Sequence, residues 1–237
     1  MTVSLRLAVF DVDGTLIDSQ HNIIAAMTEA WRAHGYADPR PEAVRRIIGL
    51  SLVEAVATLM PEASPEEHLK VAHAYKDAFF TLRQAPDHHE PLFPGAREAL
   101  ARLEDEGWLL AVATGKTRRG LDAMIERHGL EGIFVSLQTA DGNPGKPHPG
   151  MLLRAVEEAG AETANSVMIG DTTFDMQMAR SAGTGAVGVA WGYHAASELR
   201  AAGAHVLVED YGHLPGLLPG LIGSEREGEE ECVSARS

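Results

Sequence analysis

Short apolar runs alternate with amphipathic stretches along most of this chain, and that alternation restricts the fold more than any other feature. The apolar runs include "LAVF" (7–10), "WLLAVAT" (108–114), "IFVSLQT" (133–139), "SVMIGD" (166–171), "TGAVGVAW" (184–191) and "AHVLVE" (204–209). Between them, "GAREALARLEDEG" stops at Gly107, "GLDAMIERHG" at Gly129, "MLLRAVEEAG" at Gly160 and "FDMQMARSAG" at Gly183. Glycine just past a last helical turn accepts the left-handed conformation of a C-cap. Strand, helix, strand, helix predicts an α/β fold with a parallel sheet covered by helices. Ligands of such sheets bind at the carboxyl ends of the strands.

One interval breaks the alternation. From about residue 22 to 84 every signal is helical: "NIIAAMTEAWRAHG", "PEAVRRIIG", "SLVEAVATLM" and "SPEEHLKVAHAYKDAFFTL". The last opens with Ser64 as N-cap, Pro65 at the first position and Glu67 closing a capping box. This block reads as a helical insert after the first strand, joined by linkers near 18–21 and 85–93, with the proline-containing "QAPDHHEPLFPG" as return linker. The expected division is a core of residues 1–17 and 92–222, a helical cap over 18–91 and a polar, aperiodic tail over 223–237.

At 237 residues, 45% of them hydrophobic, the chain can bury one large core with a smaller insert. Its net charge of -14 argues against a general nucleic-acid or membrane-surface binder, which would carry a basic face. It leaves room for a small anionic substrate in a locally cationic pocket. The one cysteine, Cys232, permits no intrachain disulfide and makes no cysteine metal site, which fits a reducing compartment. No segment looks long and apolar enough to cross a bilayer, and no leader pattern precedes the first strand, so the expected location is the cytoplasm.

The chemistry gathers at strand ends. Asp11 and Asp13 follow the first apolar run, and side chains two apart on a strand share a face, so both can enter one pocket. Asp171 and Asp175 follow the run at 166–170. Carboxylates converging on one sheet edge repel unless a cation compensates them, and oxygen-only ligands suit Mg²⁺. A third strand end carries Thr114, Gly115 and Lys116, and "NPGKPHP" holds Lys146. A hydroxyl, backbone N–H groups and a lysine beside Mg²⁺ make a phosphate site. Each piece has an ordinary reading too: Asp before Gly is turn chemistry, Asp171 can cap a helix, and Lys146 can be a solvated loop lysine. Their joint fall on one sheet edge favours a site.

In this order, Asp11-Val-Asp-Gly-Thr15, Thr114-Gly115, Lys146 and Gly170-Asp171-Thr-Thr-Phe-Asp175 resemble the haloacid dehalogenase-like superfamily, most of all its phosphoglycolate phosphatase-type branch. The resemblance runs to about residue 218 and includes the family's helical cap and Rossmann-like core. It implies a phosphatase acting on a small phosphorylated metabolite, with 2-phosphoglycolate a candidate. By that resemblance Asp11 is the nucleophile that forms an aspartyl-phosphate and Asp13 is the acid/base. Thr114, the Gly115 N–H and Lys146 bind the phosphoryl group. Asp11, the Asp13 carbonyl and Asp171 hold Mg²⁺, while Asp175 reaches the ion through water or orients Lys146.

A sugar phosphomutase of the β-phosphoglucomutase type shares the nucleophile and acid/base and stays open at this level, and a phosphate-sensing protein is the non-enzyme alternative. A dehalogenase pattern lacks the second aspartate, Asp13. Oligomeric state is open. In the cap, "RRIIGLSL" is the expected reader of the substrate's far end. Gly49 allows close approach, the N–H groups near Ser51 open a helix, and one of Arg45 and Arg46 is available for a carboxylate. Asp18 is expected to cap the first cap helix and His88 and His89 to be solvated. Lys116 is either a phosphate neighbour or a surface residue. Trp191, Tyr193 and His194 are expected to cover the sheet edge.

Overall fold

The computed structural model describes residues 4–85 and 88–223; the expectation for the tail from 224 onward lies outside them. In chain order the main elements are β1 (Arg6–Phe10), α1 (Gln20–Ala33), α2 (Pro41–Arg45), α3 (Leu52–Leu59), α4 (Pro65–Arg83), α5 (Ala96–Asp105), β2 (Trp108–Thr114), α6 (Arg118–His128) and β3 (Phe134–Thr139). Then follow α7 (Gly150–Ala159), β4 (Ser166–Gly170), α8 (Thr173–Ala182), β5 (Gly185–Val189), α9 (Ala196–Ala201), β6 (Val206–Val208) and α10 (Leu214–Leu217). The strands form one parallel sheet ordered β3-β2-β1-β4-β5-β6.

Alternating side chains of β1 feed two cores. Ala8 and Phe10 join Leu100, Leu103, Leu121 and Ile125 from α5 and α6 on one face. Leu7 and Val9 join Met151, Leu152, Met176 and Ala179 from α7 and α8 on the other. Both faces are covered, so the strands read as near-continuous apolar runs. The helices stop where glycine permits: Gly129, Gly160 and Gly183 take the left-handed conformation at the ends of α6, α7 and α8.

Helices α1 to α4 build a separate apolar cluster around Met27, Trp31, Val44, Val56, Val71 and Phe79. The start of α4 is fixed locally. Ser64 accepts from the Glu67 N–H while Glu67 accepts from the Ser64 N–H, with Pro65 in the first turn. At α1 the N-cap is Ser19 rather than Asp18, whose carboxylate instead accepts from the Gln20 amide at 3.2 Å. Burial of Ser19 on the core side decides this, because its hydroxyl is drawn to Asp13.

Strand order reverses beside β1: the chain runs outward to β2 and β3, then returns to β4 on the opposite side. Such a switch point leaves a crevice past the carboxyl ends of the flanking strands. The helical block comes down onto this crevice. A Cβ on Gly115 would lie 2.5 Å from the Leu50 carbonyl oxygen, so only glycine admits the block's backbone there.

Candidate active site

Asp11 leaves β1 buried, with its N–H held by the Ile169 carbonyl of β4 at 2.9 Å. Asp171 leaves β4, and Asp175 sits in the first turn of α8; both are fully buried. One carboxylate oxygen from each of Asp11, Asp171 and Asp175 lies within 4.8 Å of the others. Neighbours orient these groups. Asp171 accepts from the Thr15 hydroxyl at 2.9 Å and from the Tyr193 N–H at 2.9 Å. Asp175 accepts from the Thr172 N–H and hydroxyl at 3.0 and 2.6 Å, closing the capping box of α8. Local helix chemistry thus turns the other oxygen of Asp175 inward.

Lys146 reaches this cluster from the loop between β3 and α7. Its Nζ is 2.9 Å from Asp11 Oδ1 and 2.6 Å from Asp175 Oδ1, with its side chain wholly buried. Lys146 is an ion-pair partner of Asp11 through Oδ1, and among the described residues no group donates a hydrogen bond to Asp11 Oδ2. Burial pushes the Asp11 carboxyl up to about 7 against the opposing pull of Lys146, with Asp175 adding to the rise. Asp171 is raised well above the usual range by burial, then by Asp175 and Asp11. Burial opposes the Lys146 charge, yet Asp11 and Asp175 outweigh it and hold the ammonium above its ordinary pKa.

Three buried carboxylates facing one lysine are a poor balance in a low dielectric. Oxygen-only donors, the unpartnered Asp11 Oδ2 and the surplus negative charge fit a hard divalent cation. The backbone makes room for the cluster. A Cβ on Gly14 would fall 2.2 Å from Asp171 Oδ2, and Gly14 has φ +89°, so glycine is required twice over.

Asp13 does not join the acidic cluster. Its Oδ1 accepts from the Ser19 hydroxyl at 2.6 Å and from Lys116 Nζ at 2.7 Å. Thr114 is buried at the end of β2 and accepts from the Lys116 N–H at 3.2 Å. Asp11, Asp13, Thr114, Gly115 and Gly49 all line one cavity of about 340 Å³.

Three other cap residues, Arg45, Arg46 and Ser51, do not line that cavity. Arg45 donates to the Gln20 side chain at 2.8 Å and lies 3.8 Å from Glu42, while Arg46 bridges to Glu198 at 2.6 Å. Burial of Val44, Ile47 and Ile48 turns both arginines away from the crevice. Ser51 donates to Glu54 at 2.6 Å.

Lys116 is neither a surface residue nor a lone cation. Besides Asp13 it lies 3.9 Å from Glu90, which is 2.9 Å from His88 Nε2. The His88 and Glu90 side chains are 1% and 3% exposed, which corrects the expectation of a solvated His88: it packs edge-on to Phe79. Ser19, Glu90 and His88 are site neighbours that sequence reasoning missed. Ser19 closes the run "DVDGTLIDS" (11–19), a usable signal, whereas nothing local marks Glu90. Trp191 donates to the Thr15 carbonyl at 3.2 Å, and His194 accepts from the Thr173 N–H at 3.1 Å, so this segment does close the crevice edge.

A parallel sheet with aspartates on two adjacent strand ends and a helical insert after the first defines a hydrolase of one known family. The model for the haloacid dehalogenase-like hydrolases matches residues 8–189, and the chain belongs to that family. A relative described as "Probable phosphatase IndB" from Dickeya dadantii (strain 3937) is 36% identical over 218 residues, covering 91% of this chain and 94% of that one. A phosphoglycolate phosphatase from Pseudomonas putida is 30% identical over 220 residues, covering 91% of this chain and 79% of its own. Among solved structures, a hydrolase from Pseudomonas syringae superposes with a TM-score of 0.82 at 28% identity, covering 92% of this chain and all of that one. The chain is thus an enzyme. Among its described residues, no helix is long and apolar enough to cross a membrane.

Proposed function

We propose that the protein is a Mg²⁺-dependent phosphatase that hydrolyses a small organic phosphate monoester through an aspartyl-phosphate on Asp11. The observation that carries this is the buried cluster of Asp11, Asp171 and Asp175 around Lys146, opening into the cavity shared with Asp13 and Thr114. The relatives described as phosphatases support the same reaction class.

Asp11 and Asp171, with the Asp13 carbonyl, would hold the ion, which supplies charge neutralisation for the phosphoryl oxygens and for Asp11. Lys146 adds the second positive charge and favours the ionised form of Asp11 against the burial that resists it. Asp175 fixes Lys146 in place at 2.6 Å. Asp11 attacks phosphorus and the bond to the alcohol oxygen breaks. Asp13 gives its proton to that oxygen, so the alcohol leaves neutral. Water then attacks the phosphorus of the aspartyl-phosphate, Asp13 takes a proton from it, and phosphate departs as Asp11 is regenerated. Thr114 and the Gly115 N–H bind phosphoryl oxygens throughout. Ser19 and Lys116 aim the Asp13 carboxyl into the cavity.

The test is phosphate release from a panel of phosphate monoesters, with Mg²⁺ and with excess chelator, for the native protein and Asp11→Asn. The expected result is release that needs both the ion and Asp11. Full activity in chelator, or isomerised sugar phosphate in place of free phosphate, overturns the reading.

A further inference from the structure

The cavity above the acidic cluster continues beneath the helical block, and its far wall is apolar. Ile23 and Met27 of α1, Ile48, Leu52, and Tyr75 and Phe79 of α4 line it. The rings of Tyr75 and Phe79 lie 5.7 Å apart and tilted, which makes an aromatic corner. Four cations also border it, and one of them is ion-paired there. Lys116 pairs with Asp13, Arg83 lies over the Phe79 ring at 5.2 Å and Arg119 over Phe80 at 4.1 Å; Lys76 is exposed. Neither arginine of the "RRIIG" segment enters.

This lining discriminates between leaving groups. A two-carbon acid such as glycolate would bring a carboxylate against an apolar wall, where losing water is costly without a dedicated partner. A ring gains by burial against Met27 and Ile48 and by stacking or edge contact with Phe79 and Tyr75. We propose that the alcohol half of the substrate is an uncharged, ring-sized apolar or aromatic group seated against α1 and α4, so that the enzyme prefers such monoesters to phosphoglycolate. This rests on the phosphatase reading above. At about 340 Å³ the cavity falls in the range of small-molecule sites, roughly 300–1,000 Å³, and accommodates a group of that size beside the phosphoryl.

The experiment has a binding arm and a turnover arm. In Asp11→Asn with Mg²⁺, titration calorimetry compares 2-phenylethyl phosphate with 2-phosphoglycolate, and in the native protein kcat/KM is measured for the same pair. The expected preference for the phenylethyl ester is about tenfold or more in both arms, the scale on which an apolar pocket discriminates. Leu52→Arg, a half-buried position at the start of α3, should move both ratios toward phosphoglycolate. Phe79→Ala, with its fold checked by thermal melting, should shrink them. Equal or inverted preference in the native sequence, or ratios unmoved by both variants, overturns the inference while leaving phosphatase activity intact. No phosphate from either ester or from p-nitrophenyl phosphate overturns the phosphatase reading itself, and the substrate claim with it.

Discussion

Replacing Lys146 with methionine keeps the length of the side chain and removes the one ammonium among Asp11, Asp171 and Asp175. The lysine is 1% exposed and sits 2.9 and 2.6 Å from two carboxylates, so water cannot take its place without rearrangement. Removing one partner of a buried ionic cluster costs about 3–5 kcal/mol. At about 2–4 °C per kcal/mol for a chain of this size, Tm should fall by roughly 6–20 °C in chelator near pH 8. The sign of the pH dependence follows from the carboxyls. Asp11 folds with its pKa raised from 3.8 to about 7, so its ionisation opposes folding. That penalty is absent below about pH 4, grows as pH rises toward 7 and is constant above. Lys146 itself stays charged throughout this window, since its folded pKa is raised. Without the lysine the carboxyls hold protons more tightly still, so the deficit of the variant should be largest near pH 8 and shrink near pH 5. Turnover should fall by roughly 10²–10³-fold, as for loss of one preorganised charge contact. Melting curves by circular dichroism at both pH values decide the matter. A variant within about 2 °C of the native Tm near pH 8, or a deficit larger near pH 5, would refute the balance of charges described here.

Asp13→Asn should lose about 10²-fold or more in turnover on an alkyl phosphate and much less on p-nitrophenyl phosphate, whose oxygen needs little protonation; equal losses count against the acid/base role. Magnesium binding near pH 6 should release protons from Asp11, seen as a buffer-dependent binding heat in calorimetry. Gly14→Ala forces φ +89° on alanine and drives its Cβ to 2.2 Å from Asp171 Oδ2, so it should weaken magnesium binding and lower stability by about 1–3 kcal/mol. A native-like melt with unchanged metal affinity would contradict that crowding.

What the sequence determined by itself is what short-range chemistry encodes. Short continuous apolar runs and glycine stops mark β1, β2, β4 and the helices between them. Ser64 to Glu67 specifies the start of α4 within one turn, whereas at α8 the cap is Thr172, with Asp175 closing its box, and not Asp171, whose carboxylate is taken up by Thr15 and the Tyr193 N–H. Asp11 and Asp13 share a strand end, so their proximity needs no tertiary knowledge. The rest depends on residues far apart in the chain. Lys116 meets Asp13 across 103 positions and Thr15 meets Asp171 across 156, contacts that exist only because the sheet places β1 between β2 and β4. Arg45 shows the same limit in reverse. Sequence leaves either Arg45 or Arg46 available for a carboxylate, but burial of Val44 and Ile48 in the helical cluster goes with an Arg45 guanidinium held by Gln20. Local pattern determines which face of an element is apolar; only packing decides what that face meets, and therefore which polar side chains remain facing the cavity.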